Sequence, residues 1–171
     1  MRRVWITRAL PGALVTARRV RGQGFEAVVA PLLAVRALGE GPIDLKGIGA
    51  IAFTSANGVA AFAVRSPARG LPVFAVGEAT AAAARAAGFA RVRSADGDVE
   101  ALATAIAAHG DELDGAVLHP GAAEPAGDLV AQLASLGLEA RSMAIYETVP
   151  EPVSAGLRAM MPGFHAVLVH S

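Results

Sequence analysis

The fold is decided by the stretch "AIAFTSANGVAAF", residues 50–62. Four apolar residues, 50 to 53, run straight into Thr54, Ser55, Ala56, Asn57 and Gly58 before apolar positions return at helical spacing. A short unbroken apolar run reads as a strand covered on both faces, and small hydrogen-bonding residues behind it suit the start of a helix. Such a turn lies at the carboxyl edge of a parallel sheet, where unpaired N–H groups and the positive end of the helix dipole favour anions. The stretches "ITRALPG" (6–12), "AVGEAT" (75–80) and "LHPGAAE" (118–124) have the same character.

Working outward, strands are expected at 4–7, 26–30, 50–54, 72–76, 91–94, 116–119, 139–147 and 166–170. Helices fall between them, near 12–22, 57–65, 78–87, 98–109, 125–136 and 152–160. This alternation predicts an α/β fold with parallel sheets covered on both faces. Gly88, Gly110 and Gly137 each follow a helical run, where a left-handed residue is wanted to close it. Two extended segments, "VAPLLAVRAL" (29–38) and "ARSMAIYETV" (140–149), lack the usual flanking helix and bracket a block of βα units. Paired with each other, they form a two-stranded ladder, 31–38 with 142–149. The ladder joins an inserted lobe, 39–141, to a lobe made of both chain ends, 1–30 plus 150–171.

Composition excludes several classes. With 54% hydrophobic and 18% charged residues over 171 positions, the chain can bury a core and is not disordered. Fourteen of the fifteen basic residues are arginine, the exception being Lys46, and seven of those arginines lie within residues 1–36. No basic run is interleaved with aromatics, so nucleic acid is not an expected partner. There is no cysteine, which removes disulfides and thiolate chemistry, and no apolar stretch approaches a membrane span. The N-terminal "RRVWIT" lacks the apolar core of a signal peptide, so a cytoplasmic location is expected.

Among chemistry-bearing motifs, GxxxxGK[ST] and GxGxxG are absent, which weakens a nucleotide reading. Ser55 lacks a Gly-x-Ser-x-Gly elbow, and His119, His165 and His170 lack metal-ligand spacing. Tyr146, the single tyrosine, lies on the ladder. Its phenol either completes strand packing or faces the interdomain crevice, where it can donate a proton to a leaving hydroxyl.

Taken in order, "ITR" near the start, "PLL" (31–33), "FTSANGV" (53–59), "VGEATAAAARAAGF" (76–89), "LHPGAA" (118–123) and "YETVP" (146–150) resemble the uroporphyrinogen-III synthase family across essentially the whole chain. The resemblance implies two flavodoxin-like parallel-sheet lobes joined by a two-stranded antiparallel ladder. It also implies a cofactor-free, metal-free lyase of tetrapyrrole (haem) synthesis that converts hydroxymethylbilane to uroporphyrinogen III. In that reaction the hydroxymethyl group loses its hydroxyl as water to give an azafulvene. Ring D attacks through its substituted carbon, and the resulting spiro intermediate fragments and recloses with ring D inverted. The family's substrate carries eight carboxylates held largely by backbone amides at helix starts. On that pattern Thr7 and Arg8 would line one lobe, and Thr54, Ser55, Ala56, Asn57, Gly77, Thr80, Pro120 and Gly121 the other. Ser171 would begin one further turn, Tyr146 would assist departure of the hydroxyl, and transient contact with hydroxymethylbilane synthase would be expected.

Two other classes fit the same two-lobe plan: a non-enzymatic α/β anion-binding protein, and a sugar-phosphate isomerase or glycosyltransferase. The terminal lobe has about three strands where a flavodoxin-like sheet takes about five, so its C-terminal part is expected to be missing.

Overall fold

The structure, a computed structural model, describes residues 2–169. In chain order its elements begin β1 (Arg3–Ile6), α1 (Gly12–Gly22), β2 (Glu26–Val29), β3 (Leu33–Ala37), β4 (Ile48–Phe53), α2 (Ala56–Arg65), β5 (Val73–Ala75) and α3 (Glu78–Ala86). They continue with β6 (Val92–Ser94), α4 (Val99–Ala107), β7 (Ala116–Ala122), α5 (Leu129–Ser135), β8 (Ala140–Pro150), α6 (Ala155–Met160) and β9 (Phe164–Leu168). The class is mixed α/β with parallel sheets and one antiparallel pairing. The chain divides into two compact units, Met1–Arg36 with Thr148–Ser171, and Ala37–Glu147.

In the unit made of both chain ends, β1 pairs in parallel with β2 and with β9, in the order β2-β1-β9. Its small core joins Ile6 and Ala27 to Ala13 and Ala17 of α1. Alanines at those helix positions let α1 lie close on the sheet. Trp5 is buried, donates its indole N–H to the Ala30 carbonyl at 2.7 Å, and stacks on Phe164.

The other unit carries the parallel strands β8-β7-β4-β5-β6. Numbered within the unit this is 3-2-1-4-5, read from β6 to β8. The order reverses between β4 and β7. On one face Ala50, Ala52, Phe74 and Val117 pack against Leu102 and Ile106 of α4 and Leu129 and Leu133 of α5. On the other, Phe53, Phe62 and Phe89 meet with ring centroids 5.8–6.0 Å apart. Phe53 and Phe62 are fully buried, and each such side chain contributes about 1.5–3 kcal/mol of transfer free energy.

The ladder differs from a free two-stranded tether, because β8 serves twice. Its first half is the outer strand of the parallel sheet, from Val117 opposite Ala140 to Ala122 opposite Tyr146. Its second half neighbours β3. Leu38 N–H donates to the Ile145 carbonyl and Glu151 N–H to that of Leu32, so one index falls as the other rises and this pairing is antiparallel. The compact unit that carries the parallel strands spans Ala37–Glu147.

Two further corrections concern punctuation. Gly88 and Gly137 hold positive φ of 97° and 80°, as helix-closing residues do, whereas Gly110 opens a single 3₁₀ turn, Gly110–Glu112. The "LHPGAAE" stretch is not a strand-to-helix turn: β7 continues to Ala122, and α5 starts only at Leu129, capped by Asp128. The proline explains the misreading, since a strand in a parallel sheet rarely tolerates one in its interior.

Gly58, in the first turn of α2, lies against β7. A Cβ there would sit 2.8 Å from the Pro120 carbonyl oxygen, 3.5 Å from Phe53 and 3.7 Å from the Tyr146 ring. In an unencumbered helix, Gly→Ala gains up to about 1 kcal/mol. At Gly58 the clash is with backbone, which cannot yield as a side chain does, and overpacking of about 1–3 kcal/mol outweighs that gain. Gly58→Ala should therefore lower the unfolding free energy by about 1–2 kcal/mol, measured by urea denaturation.

Candidate functional site

The carboxyl ends of β4 and β7 flank the point where strand order reverses, which is where ligands bind in open α/β sheets. Thr54 follows β4. Ser55 is the N-cap of α2, with an extended backbone, and its Oγ accepts the Asn57 N–H at 3.1 Å. Among the described residues the N–H groups of Ala56 and Gly58 have no partner, and the first turn of α2 carries no acid. The start of α2 is thus a cluster of neutral donors at a positive dipole end.

The start of α3 is different. Gly77 caps it without a side-chain bond, and open space surrounds the position a Cβ would take. Glu78 occupies its first turn, ion-paired with Arg85, and so offsets the dipole an anion would seek. Thr80 is buried, and its N–H is spent on the Gly77 carbonyl.

At the end of β7 the side chains divide between the two faces. Alternation from Val117 puts His119 and Gly121 on the α4/α5 face, with Ala50, Ala52 and Thr54. The His119 Nε2 lies 3.1 Å from the Thr54 Oγ1. Gly121 leaves room for the imidazole, since a Cβ there would come within 3.0 Å of the ring's Cε1 and Nε2. His119 also borders a cavity of about 450 Å³ lined by Asp128, Leu129 and Ser142.

Tyr146 reaches the opposite face through a β-bulge. Gly121 faces Ala144, but Ala122 faces Tyr146, so Ile145 is the extra residue. The bulge swings the phenol ring away from His119 and onto the first turn of α2, beside Gly58. Tyr146 is 6% exposed, and among the described residues its hydroxyl makes no hydrogen bond.

The remaining expected site residues are placed as follows. Pro120 and Gly121 are buried within β7, engaged with α2 and with His119. Thr7 belongs to the other unit, where its hydroxyl donates to the Leu168 carbonyl at 2.9 Å and its own carbonyl accepts the Leu32 N–H. Arg8 is exposed, with its guanidinium over Gly12 at the start of α1, a helix whose first turn has no acid. Ser171 lies outside the described residues. Among those residues no group of three His, Asp or Glu side chains could hold a metal ion, and no helix is long and apolar enough to cross a membrane.

In the sequence His119 stands out only as a histidine without metal-ligand spacing. Two signals could have drawn it out: a histidine inside an apolar run, and a glycine two residues on, which leaves space beside its ring.

Comparison with known proteins agrees with this architecture. The sequence profile of the uroporphyrinogen-III synthase HemD family matches residues 15–171. No curated protein matches the sequence. A solved structure of uroporphyrinogen-III synthetase from Helicobacter pylori superposes with a TM-score of 0.62 at 18% identity, covering 93% of this chain and 67% of that one. A mutant uroporphyrinogen III synthase from Thermus thermophilus gives 0.57 at 16% identity, covering 98% and 71%. At such identities the superpositions speak for the fold.

Burial holds the His119 imidazole below its ordinary value of about 6.5. Between its folded and unfolded values the unfolded chain binds more protons, so stability rises with pH across that window. The contribution is fully present above about pH 6.5 and is lost as pH falls towards the folded value. Urea midpoints should therefore drop below about pH 6.5, with a slope of at most about 1.4 kcal/mol per pH unit from this one group. His119→Gln, which cannot titrate, should flatten that part of the profile.

Proposed function

The chain belongs to the uroporphyrinogen-III synthase family, the cyclising lyases of tetrapyrrole biosynthesis, and we propose that it binds hydroxymethylbilane by its carboxylates at the start of α2 and promotes ring closure with Tyr146. The observation that carries this reading is the position of the Tyr146 ring. It lies against Gly58, in the same helix turn whose unpartnered N–H groups and Ser55 cap offer neutral donors to an anion. A carboxylate docked there would bring part of the linear tetrapyrrole beside the phenol.

On this proposal the chemistry is mostly the substrate's own. Departure of the hydroxymethyl group's hydroxyl as water leaves its carbon as the methylene of an electron-deficient azafulvene, and the Tyr146 hydroxyl supplies the proton or hydrogen bond that the leaving oxygen needs. Protein contacts hold the chain in the folded geometry from which ring D attacks through its substituted carbon. Closure without inversion needs no such folding, so suppressing it is a matter of positioning. Thr54, Asn57, Gly77 and Thr80 are further proposed contacts of this unit. Direct transfer from hydroxymethylbilane synthase, by transient contact in the cytoplasm, would limit uninverted closure before binding.

The test is a coupled assay supplying hydroxymethylbilane to the full-length protein and separating the type III from the type I isomer. Tyr146→Phe should cut type III formation by about ten- to a hundredfold, at or below the lower end of general-acid effects, since the pyrrole assists its own leaving group. The melting temperature should stay unchanged, because a hydroxyl with no bond among the described residues is all that is removed. Full type III turnover by the variant would return Tyr146 to packing alone.

A further inference from the structure

We propose that His119 is a positioning residue for substrate binding, holding the Thr54 hydroxyl so that its proton is offered to a substrate carboxylate at the start of α2. The inference rests on the carboxylate-binding reading above and names a residue which that reading does not use.

The position does not call for a histidine on packing grounds. His119 is 3% exposed, on the sheet face where buried Ala50, Ala52 and Val117 pack against Leu129 and Leu133 of α5. An aliphatic side chain would suit these neighbours, and burying a polar ring has a cost unless the ring is hydrogen-bonded. Its hydrogen bond among the described residues is the one to Thr54, at the carboxyl end of β4 where the sheet opens. The ring's place is fixed from below by the bare backbone of Gly121.

The bond can run in either direction, and the two directions have different consequences. If Thr54 donates to Nε2, its oxygen faces the ligand as an acceptor and repels a carboxylate. If Nε2–H donates to Oγ1, the threonine hydroxyl keeps its proton for an acceptor outside. A carboxylate beside the donors of Ala56 and Gly58 selects the second arrangement. A neutral imidazole can supply either one, and burial favours that form.

Kinetics of four variants in the full-length protein decide the matter. His119→Phe keeps a planar ring next to the cavity but removes the donor. It should raise KM for hydroxymethylbilane by about three- to tenfold, the worth of one hydrogen bond, with kcat within about twofold. His119→Gln, which retains a donor on a side chain of suitable reach, should restore most of that loss. Thr54→Val should resemble His119→Phe, and the double variant should be no worse than either single one, because both delete the same contact. An unchanged KM in His119→Phe, no rescue by glutamine, or additive losses would each overturn the role while leaving the synthase reading intact. Absence of type III product from the wild-type protein would instead overturn the reading, and this inference with it.

Discussion

A backbone contact with no side chain between its partners organises the inserted unit: the first turn of α2 against the carbonyl of Pro120. Gly58 has no Cβ, so α2 can begin directly beside β7. The parallel sheet needs a helix on this face, and the point where strand order reverses, beyond the carboxyl ends of β4 and β7, is where open α/β sheets take ligands. A larger residue at 58 would push the helix start outward and open the wall that Tyr146 leans on. Helix position, phenol position and access to the unpartnered N–H groups therefore follow from a single close approach.

The bulge at Ile145 separates two kinds of chemistry that a regular strand would have placed together. With unbroken register Tyr146 would fall opposite Ala123, on the face that holds His119 and Gly121. A phenol stacked near a buried imidazole would have its hydroxyl drawn into an internal hydrogen bond. Moved by one residue, the ring instead packs on α2, while His119 remains paired with Thr54. One face then carries the phenol of Tyr146 and the other the Thr54 hydroxyl paired with His119, each in a different apolar setting.

Much of this was legible in the sequence, and the failures have local causes. The eight apolar runs and six helical segments announced every long element, because a buried strand and an amphipathic helix have distinct periods. Strand order was not legible, since the pattern that marks β5 and β6 as strands says nothing about which side of β4 they join. Pro120 misled the reading of β7 by imitating a turn. The register slip that moves Tyr146 leaves no trace in "MAIYET", because the inserted residue is as apolar as its neighbours. Of the site, the small residues after β4 could be read as helix-start donors from their type alone. The Thr54–His119 pair could not, because 65 positions separate the two residues and the sheet alone brings them together.

The arginines bear on how such a site would hold a polyanion. Within the inserted unit Arg65, Arg69 and Arg91 donate to backbone carbonyls, and Arg85, Arg93 and Arg141 pair with acids. All six are therefore occupied by the protein itself. Lys46 precedes β4, at the opposite end of the strand from Thr54. Guanidinium charge in this unit is thus spent on loops and surface pairs, and under the proposed function carboxylate recognition at the α2 start would fall to amide N–H groups, hydroxyls and a helix dipole. Such donors are directional and short-ranged, whereas a full charge attracts from a Debye length of about 8–10 Å and tolerates many poses. For a substrate whose carboxylates are numerous and similar, discrimination must come from where each one sits. A rim of fixed neutral donors supplies that better than mobile cations, because an amide rewards a carboxylate only when it arrives at hydrogen-bonding distance and angle.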